Sequence, residues 1–411
     1  MNKKLRNRLL ALGCLIVFLA LGAAFYVNWV VQKPFAIILF LTDNLTPSVL
    51  TPARMFEGGA DHRLHMERMP HLALVTTHAN DFAVPDTASA AATIATGRKI
   101  NNRSLGVDAG GTPIPTLLEL AQSRGRATGL VSNTSLTDAT PAAFYAKLPD
   151  PLDYERIGLA LTESNVNVLL GGGSADLLPE SKEGRRQDGR DLLLEMRNRG
   201  YDIVRNRSEL ANSPAWRAPK VLGVFSAGNL PFEGEMAAAG SLPSLADMVR
   251  QAILFLQYNA KGYFLVVDAG LGGKAAVQNE GERVLREMLA LDRAVATALE
   301  YAGENALIIV AGKQSVSGLR LNGFPFRNDK GTGLLGVNVQ GVPSITWSTG
   351  PGYGETGGSE APAPAEPAAV RTNAGIGVAE DSIVLSSGPG AETFTGFQDN
   401  TGIYRLIEKG M

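Results

Sequence analysis

Residues 84–108 read VPDTASAAATIATGRKINNRSLGVD, a stretch in which a polar turn leads into a run of small residues. Asp86 and Thr87 stand directly before that run, and Gly97 ends it. An acid and a hydroxyl before an alanine-rich run are typical of a helix N-terminus, and a glycine after such a run is typical of a helix C-terminus. The pattern therefore predicts a helix over residues 88–96.

The Thr87 hydroxyl has two interpretations, both of which use its place at the start of this helix. In the first it belongs to an ordinary helix cap, together with Asp86. In the second it marks a place for a phosphoryl group, because a helix N-terminus presents free backbone N–H groups and the positive end of the helix dipole.

Apolar, β-branched runs alternate with helical patterns along the chain. The helical patterns include residues 243–256 and 280–302, where apolar side chains recur near the 3.6-residue period. The apolar runs predict buried strands at residues 35–41, 128–131, 166–170, 221–225, 263–267, 307–310 and 382–385. Continuous apolar strands that alternate with helices predict an α/β fold with a central, mainly parallel sheet and helices on both faces.

The stretch from residue 315 to residue 373 interrupts this alternation. It is rich in Gly, Pro and Ser, and residues 360–369 read EAPAPAEPAA. Such a composition is typical of exposed linkers. We therefore expect an excursion from the sheet at about residues 315–373, within a domain that covers residues 34–411.

The N-terminus combines a basic tail, residues 1–8, with a long uncharged segment, residues 9–31. At about 1.5 Å per residue a helix over that segment would span about 35 Å, enough to cross a bilayer. Small residues at 22–24 allow a cleaved signal peptide. The apolar run continues to Val31, however, which favours an uncleaved anchor. The basic tail then predicts a single-pass protein of the inner (cytoplasmic) membrane whose C-terminal domain is periplasmic or extracellular.

Composition excludes one class of function and one means of stabilisation. The 411-residue chain carries a net charge of −2, which argues against a nucleic-acid-binding protein because no basic surface is available to neutralise phosphates. The only cysteine, Cys14, lies in the predicted membrane segment. The exported domain therefore has no disulfides and depends on its hydrophobic core.

Three acidic residues stand at or just beyond the ends of predicted strands. Asp43 follows the first strand, Asp138 comes a few residues after Val131, and Asp268 follows Val267 directly. Any one of them is readily explained as a helix cap or turn residue. Together with a hydroxyl, however, carboxylates at the carboxyl edge of an α/β sheet are the ligands that a hard divalent cation prefers.

Several stretches resemble alkaline phosphatases, in the order and at the spacing of that family, and the chain is identified as a member of the alkaline phosphatase superfamily. These stretches are residues 42–54, 85–108, 132–143, 222–232 and 243–279. The resemblance implies that Thr87 is at the nucleophile position, with Thr where the family usually has Ser. It also implies a magnesium-type site formed by Asp43, Asp138, Thr140 and Asp268, the last in place of the usual Glu. Dimers are common in the family, so a homodimer is a further expectation.

The family's zinc ligands have no counterparts here. Non-ligand residues stand at the corresponding positions, which are Gly273, Val277, Lys313, Gln314 and Gly377. The histidines cannot be realigned to these places, because all four precede Thr87 in the chain: His62, His65, His71 and His78. The position of the family's phosphate-clamping Arg holds Pro151, and Arg156 is out of register. A zinc pair is therefore not expected, whereas the magnesium site is.

These exchanges bear directly on function. Two metal ions normally clamp the attacking and leaving oxygens, and a neutral threonine without such a positive charge is a poor nucleophile. The favoured hypothesis is a membrane-anchored, catalytically impaired pseudo-phosphatase that keeps one magnesium-type site. The alternatives are a metal-dependent phosphomonoester hydrolase with Thr87 as nucleophile, and a module that binds a phosphate-bearing small molecule.

Two lysines near the exchanged positions carry hypotheses of their own. Lys313 places its ammonium near Asp43 as a substitute for zinc, or it is a solvated loop residue. Lys274 is expected at the surface.

Overall fold

The structure is a computed structural model of the 411-residue chain, and it describes residues 2–25, 35–217, 220–236, 238–322, 331, 335–337, 342–352 and 366–411. The strands are β1 (Ala36–Asp43), β2 (His71–Thr76), β3 (Ala127–Ser135), β4 (Val168–Gly172), β5 (Tyr201–Val204), β6 (Lys220–Val224), β7 (Tyr263–Ala269), β8 (Ala306–Val316), β9 (Leu319–Leu321), β10 (Ile345–Gly350), β11 (Ala368–Arg371), β12 (Gly377–Val378), β13 (Ser382–Ser387) and β14 (Gly396–Asp399).

The main sheet has the strand order β14-β2-β13-β8-β1-β7-β3-β4-β6-β5, and β12 adds to β8. All neighbours from β8 to β5 are parallel. β13 runs antiparallel to β2 and β8. The predicted mainly parallel sheet is therefore confirmed, and the carboxyl ends of β1, β7, β3 and β8 meet along one edge.

The chain forms helices on both faces of the sheet and one exposed helix at the N-terminus. They are α1 (Lys3–Phe25), α2 (Pro47–Gly58), α3 (Thr87–Thr96), α4 (Leu117–Ser123), α5 (Ala139–Ala142), α6 (Tyr154–Glu163), α7 (Ser174–Leu177), α8 (Leu192–Asn198), α9 (Arg207–Asn212), α10 (Leu245–Leu256), α11 (Leu271–Val277), α12 (Gly281–Tyr301) and α13 (Thr401–Gly410). Alternate residues of β1 belong to two separate cores. Ile38 and Phe40 pack with α2, α10 and α12, whereas Ile37 and Leu39 pack with α3, α4 and α13. This two-sided burial explains why residues 36–41 of β1 are all apolar.

Among the elements whose bounds differ from the prediction, two do so for clear local reasons. The helix predicted from Pro243 begins at Leu245, because Ser244 is its N-cap and forms a capping box with Asp247. β8 continues past the predicted residue 310 to Val316, and every residue of this extension is buried. The predicted strand ended too early because β8 contains the polar residues Lys313, Gln314 and Ser315, which interrupt its apolar pattern.

The glycine-rich excursion contains a second, three-stranded sheet of order β11-β10-β9. Residues 353–365, which include most of the predicted linker, lie outside the described residues. Glu366, at the end of that linker, is buried rather than exposed. Its carboxylate accepts hydrogen bonds from Trp347 Nε1 (2.9 Å) and from the backbone N–H of Gly281 (2.9 Å). Burial raises the pKa of Glu366 to about 7, even though both donors oppose this shift.

α1 is exposed along its whole described length. By length and composition it is the one helix among the described residues that is able to cross a membrane. It begins at Lys3, within the basic tail, and residues 26–34 lie outside the described residues.

Candidate functional site

Parallel pairing brings three of the predicted side chains to one edge of the sheet. β1 lies between β7 and β8, with Leu41 opposite Asp268 and Asp43 opposite Gln314. Asp43, Asp268 and Lys313 are all at least 95% buried, with exposed fractions of 5%, 1% and 0%. Charged groups this deep need compensating partners, because an isolated buried charge is strongly destabilising.

Lys313 compensates Asp43. Its ammonium is in direct contact with Asp43 Oδ1, and its side chain is fully buried. The solvated-loop interpretation of Lys313 is therefore wrong, whereas its role as a substitute for zinc stays a proposal. Gly273 lies against the other oxygen of the same carboxylate, since a Cβ on Gly273 would lie only 2.1 Å from Asp43 Oδ2.

Asp268 is held by hydroxyl groups of β3. Its Oδ2 accepts hydrogen bonds from Ser132 Oγ (2.7 Å) and Thr134 Oγ1 (3.1 Å), while Oδ1 is buried with no hydrogen-bond partner among the described residues. Burial raises the pKa of Asp268 to about 6, and the charge of Lys313 opposes this increase. The two hydroxyl donors were not predicted. The signal for them was the polar sequence SNTS at the end of an otherwise apolar strand.

Asp138 is paired with a second lysine. It is the N-cap residue of α5, and its Oδ2 lies 2.6 Å from Lys274 Nζ on α11. The Lys274 side chain is 42% exposed, so the surface expectation is correct only in part, because the charged end is engaged in an ion pair. Burial lowers the pKa of Lys274, but the charges of Asp138 and its acidic neighbours outweigh burial and raise it above the usual value. Thr140 is buried within α5.

Thr87 is the first residue of α3, and Asp86 is the cap. Asp86 Oδ1 accepts a hydrogen bond from the backbone N–H of Ser89 (2.8 Å), and the Ser89 hydroxyl completes a capping box. The Thr87 hydroxyl instead accepts a hydrogen bond from Gln314 Nε2 (2.8 Å) at the end of β8. Gln314 was predicted only as a position that had lost a ligand, and its contact with Thr87 was missed.

The five exchanged zinc-ligand positions bring no carboxylate, thiolate or imidazole to the site. A Cβ on Gly377 would lie 2.7 Å from Val84 Cγ1, and Val277 packs against the hydrophobic core. Two of the four histidines are engaged elsewhere: His65 Nδ1 lies 2.8 Å from Asp292 Oδ2, and His78 Nε2 lies 3.9 Å from Asp399 Oδ2. The residues at these positions therefore do not fit a zinc pair.

The magnesium-type site stays a prediction. Within the described parts of the chain, no group of three or more His, Cys, Asp or Glu side chains is arranged to hold a metal ion. Asp43 and Asp138 each face a lysine ammonium, and of the three acids Asp268 alone keeps a buried oxygen without a partner in those parts. In this arrangement the side chains compensate one another, so they do not fit a divalent cation as they stand.

The phosphate-clamping position also lacks its cation. Pro151 stands there, and the nearby Arg156 belongs to α6. Its side chain is 62% exposed, with Nη1 3.7 Å from Asp153 Oδ2. Arg156 is thus a surface residue of α6, in agreement with its displaced register in the sequence.

Comparisons with known proteins agree with this fold. The family model described as Alkaline phosphatase matches residues 35–410. Streptomycin-6-phosphate phosphatase of Streptomyces griseus is 30% identical over an aligned length of 423 residues. The match covers 90% of this chain and 89% of the relative. The tissue-nonspecific alkaline phosphatase of Gallus gallus is 29% identical over 374 residues, which cover 78% of this chain and 72% of the relative.

Solved structures show the same fold. The alkaline phosphatase of Thermus thermophilus superposes with a TM-score of 0.75 at 23% identity, covering 92% of each chain. That of the Antarctic bacterium TAB5 superposes with a TM-score of 0.73 at 23% identity, covering 92% of this chain and 98% of the other. A single-residue variant of the TAB5 enzyme has magnesium bound in its M3 site. With the family model matched over almost the whole described domain, the chain belongs to the alkaline phosphatase family.

Proposed function

We propose that this member of the family is a catalytically impaired pseudo-phosphatase, anchored in the membrane by α1. The observation that carries the proposal is the partner of Thr87. At the nucleophile position the hydroxyl accepts a hydrogen bond from Gln314 Nε2 at 2.8 Å, where the family sequence would supply a zinc-ligating histidine.

This contact matters because a hydroxyl becomes a strong nucleophile only through a base, a metal ion or another positive charge beside it. A carboxamide is neutral, so its N–H orients the Thr87 oxygen but stabilises the attacking alkoxide far less than a metal ion would. Lys313, the buried cation that precedes Gln314 in β8, is in contact with the Asp43 carboxylate. Its charge is therefore already compensated, which supports a site that has lost turnover.

The position of Thr87 still suits a phosphate-bearing small molecule. It begins α3, a helix of ten residues, where backbone N–H groups and the helix dipole favour an anion. We propose such a ligand as the small-molecule partner, with the bilayer as the second partner through α1. A homodimer, and a domain on the periplasmic or extracellular side of the inner membrane, complete the proposal by resemblance to the family and by the basic N-terminal tail.

The test is phosphomonoester turnover by the full-length protein in detergent. The substrate is p-nitrophenyl phosphate, offered with EDTA, with magnesium and with zinc. We expect no turnover above background for the wild type or for Thr87→Ala, under conditions in which the Gallus gallus relative is assayed in parallel. Turnover that depends on metal and is abolished by Thr87→Ala, but not by Thr96→Ala at the other end of α3, would establish the hydrolase alternative instead.

A further inference from the structure

Two of the exchanged positions face the same carboxylate from different elements. Lys313, on β8, contacts Oδ1 of Asp43, and Gly273, on α11, faces Oδ2. The two residues are distant in sequence, and neither exchange by itself predicts the other. In the fold they approach different oxygens of one carboxylate, in a residue that is only 5% exposed.

The geometry leaves no room for a side chain at position 273. A Cβ on Gly273 would lie 2.1 Å from Oδ2, 2.7 Å from Cγ and 3.0 Å from Cβ of Asp43, so Asp43 would have to move. Its backbone is fixed, because it is paired with β8. The carboxylate can turn away only by giving up its contact with the Lys313 ammonium. The space at Gly273 and the charge at Lys313 therefore depend on each other.

We propose that Asp43, Lys313 and Gly273 form one coupled unit that replaces a metal ion: the lysine supplies the positive charge, and the glycine supplies the space for the carboxylate to meet it. The centre of this chain then needs no divalent cation to be stable. This proposal concerns what holds the centre together, and it stands whether or not the protein hydrolyses phosphomonoesters.

The charges around the unit agree with it. Asp138 has its own ion pair with Lys274 at 2.6 Å, and one oxygen of Asp268 is held by the hydroxyls of Ser132 and Thr134. Two lysine charges thus face three carboxylates that are otherwise close enough to repel one another. Because both lysines are part of the chain, this compensation of charge does not depend on the binding of a metal ion.

A double-mutant cycle on the full-length protein in detergent tests the coupling. The two changes are Gly273→Ala and Lys313→Met. In the wild-type background Gly273→Ala pushes a Cβ against a held carboxylate, and we expect the melting temperature to fall by about 3 °C or more. In the Lys313→Met background Asp43 is free to turn, so the same glycine change lowers the melting temperature by less than half as much.

The neighbouring Gly272 supplies the matched control. It is on the same helix, and a Cβ there would lie 3.6 Å from Glu287 Cβ, an ordinary contact. Gly272→Ala is expected to have the same small effect in both backgrounds. Equal effects of Gly273→Ala in the two backgrounds, or no effect in the wild type, would overturn the coupling.

Metal content tests the second half of the proposal and does not need a variant. Wild-type protein is dialysed against zinc chloride or magnesium chloride, and bound metal and melting temperature are measured before and after EDTA. We expect substoichiometric metal and one melting temperature throughout. Stoichiometric metal that EDTA removes, with a fall in melting temperature, would overturn the proposal even if Lys313→Met failed to fold.

The two proposals fail separately. Turnover of p-nitrophenyl phosphate without bound metal would contradict the pseudo-phosphatase but leave the coupled unit intact. Bound metal without turnover would do the opposite.

Discussion

Lys313 is the residue whose environment distinguishes this centre most clearly from a metal site. A lysine inside a buried strand destabilises the fold, because its ammonium group loses its hydration. A carboxylate in close contact offsets this loss. β8 provides the burial and β1 provides that carboxylate in Asp43. The pair is therefore worth little as a net source of stability, yet removal of one member leaves the other uncompensated.

Asp43→Asn tests this asymmetry. The substitution keeps the shape of the side chain and removes its charge, so Lys313 is left as a buried cation without its carboxylate. We expect the free energy of unfolding to fall by about 3–5 kcal/mol. Denaturant unfolding of the purified protein measures it, with Asp202→Asn on the exposed side of β5 as the control, for which the expected change is within about 0.5 kcal/mol. Equal stabilities of Asp43→Asn and the wild type would contradict the prediction.

At the scale of elements, acidic side chains accept hydrogen bonds at the N-termini of two helices. One of these acids is adjacent to its helix in the sequence, and the other is distant from it. α3 is capped from within its own sequence by Asp86, which also accepts a hydrogen bond from the backbone N–H of Arg103 (2.6 Å). α12 receives its acid from far along the chain, because Glu366 binds the N–H of Gly281. The first cap is readable from sequence and the second is not.

Asp86→Ala removes the cap of α3 and the bond to the loop at Arg103. The expected loss is about 1–2 kcal/mol in the free energy of unfolding, the usual cost of an N-cap. Asp86→Asn keeps the capping acceptor and is expected to restore most of it. Circular dichroism during denaturant unfolding measures both. An Asp86→Ala protein as stable as Asp86→Asn would show that the side chain does not act as a cap.

Glu366 predicts a pH dependence whose sign follows from its raised pKa. The ordinary value of 4.5 applies to the unfolded chain, and burial raises the folded value to about 7. At Glu366 the folded state therefore holds more protons than the unfolded state between these values. The contribution of this residue to stability is thus greatest below about pH 4.5 and falls as pH rises to about 7. The expected fall is on the order of 3 kcal/mol.

Glu366→Gln removes the titrating group and keeps the hydrogen-bond acceptor. We expect the variant to lose less stability than the wild type between pH 4.5 and pH 7, when denaturant unfolding is measured at each pH. Glu300→Gln, exposed near the C-terminal end of α12, is expected to keep the wild-type slope. If the wild type and Glu366→Gln lost equal stability between pH 4.5 and pH 7, Glu366 would not be the source of the pH dependence.

At the scale of the whole molecule, the sheet separates the chain's entry from its site. The chain enters the domain at the amino end of β1, and Asp43 is at the other end of this strand, about 25 Å away at about 3.3 Å per residue. A tether at the N-terminus therefore leaves the carboxyl edge of the sheet accessible.

The proposed anchor predicts how the full-length protein fractionates. The membrane-bound protein is expected to keep its N-terminus, to resist extraction by alkaline carbonate and to be released only by detergent, because α1 is long and apolar enough to cross the bilayer. Deletion of residues 1–33 is expected to move the chain to the soluble fraction. Intact mass spectrometry of the membrane fraction decides between the two interpretations of the N-terminus, since a cleaved signal peptide would give a chain shortened near residue 24.

The sequence by itself determined the α/β fold, the positions of its main strands and helices, and the approach of acids to one edge of the sheet. These features are local, because periodicity, strand length and capping residues act over a few neighbouring positions. Only the tertiary structure decided that Lys313 is buried against Asp43, that Gln314 donates to Thr87 and that Gly273 leaves room for a carboxylate. Those contacts join residues more than 200 positions apart. The pairing of β1 with β8 and the packing of α3 and α11 against these strands create them, so no pattern within one segment could contain them.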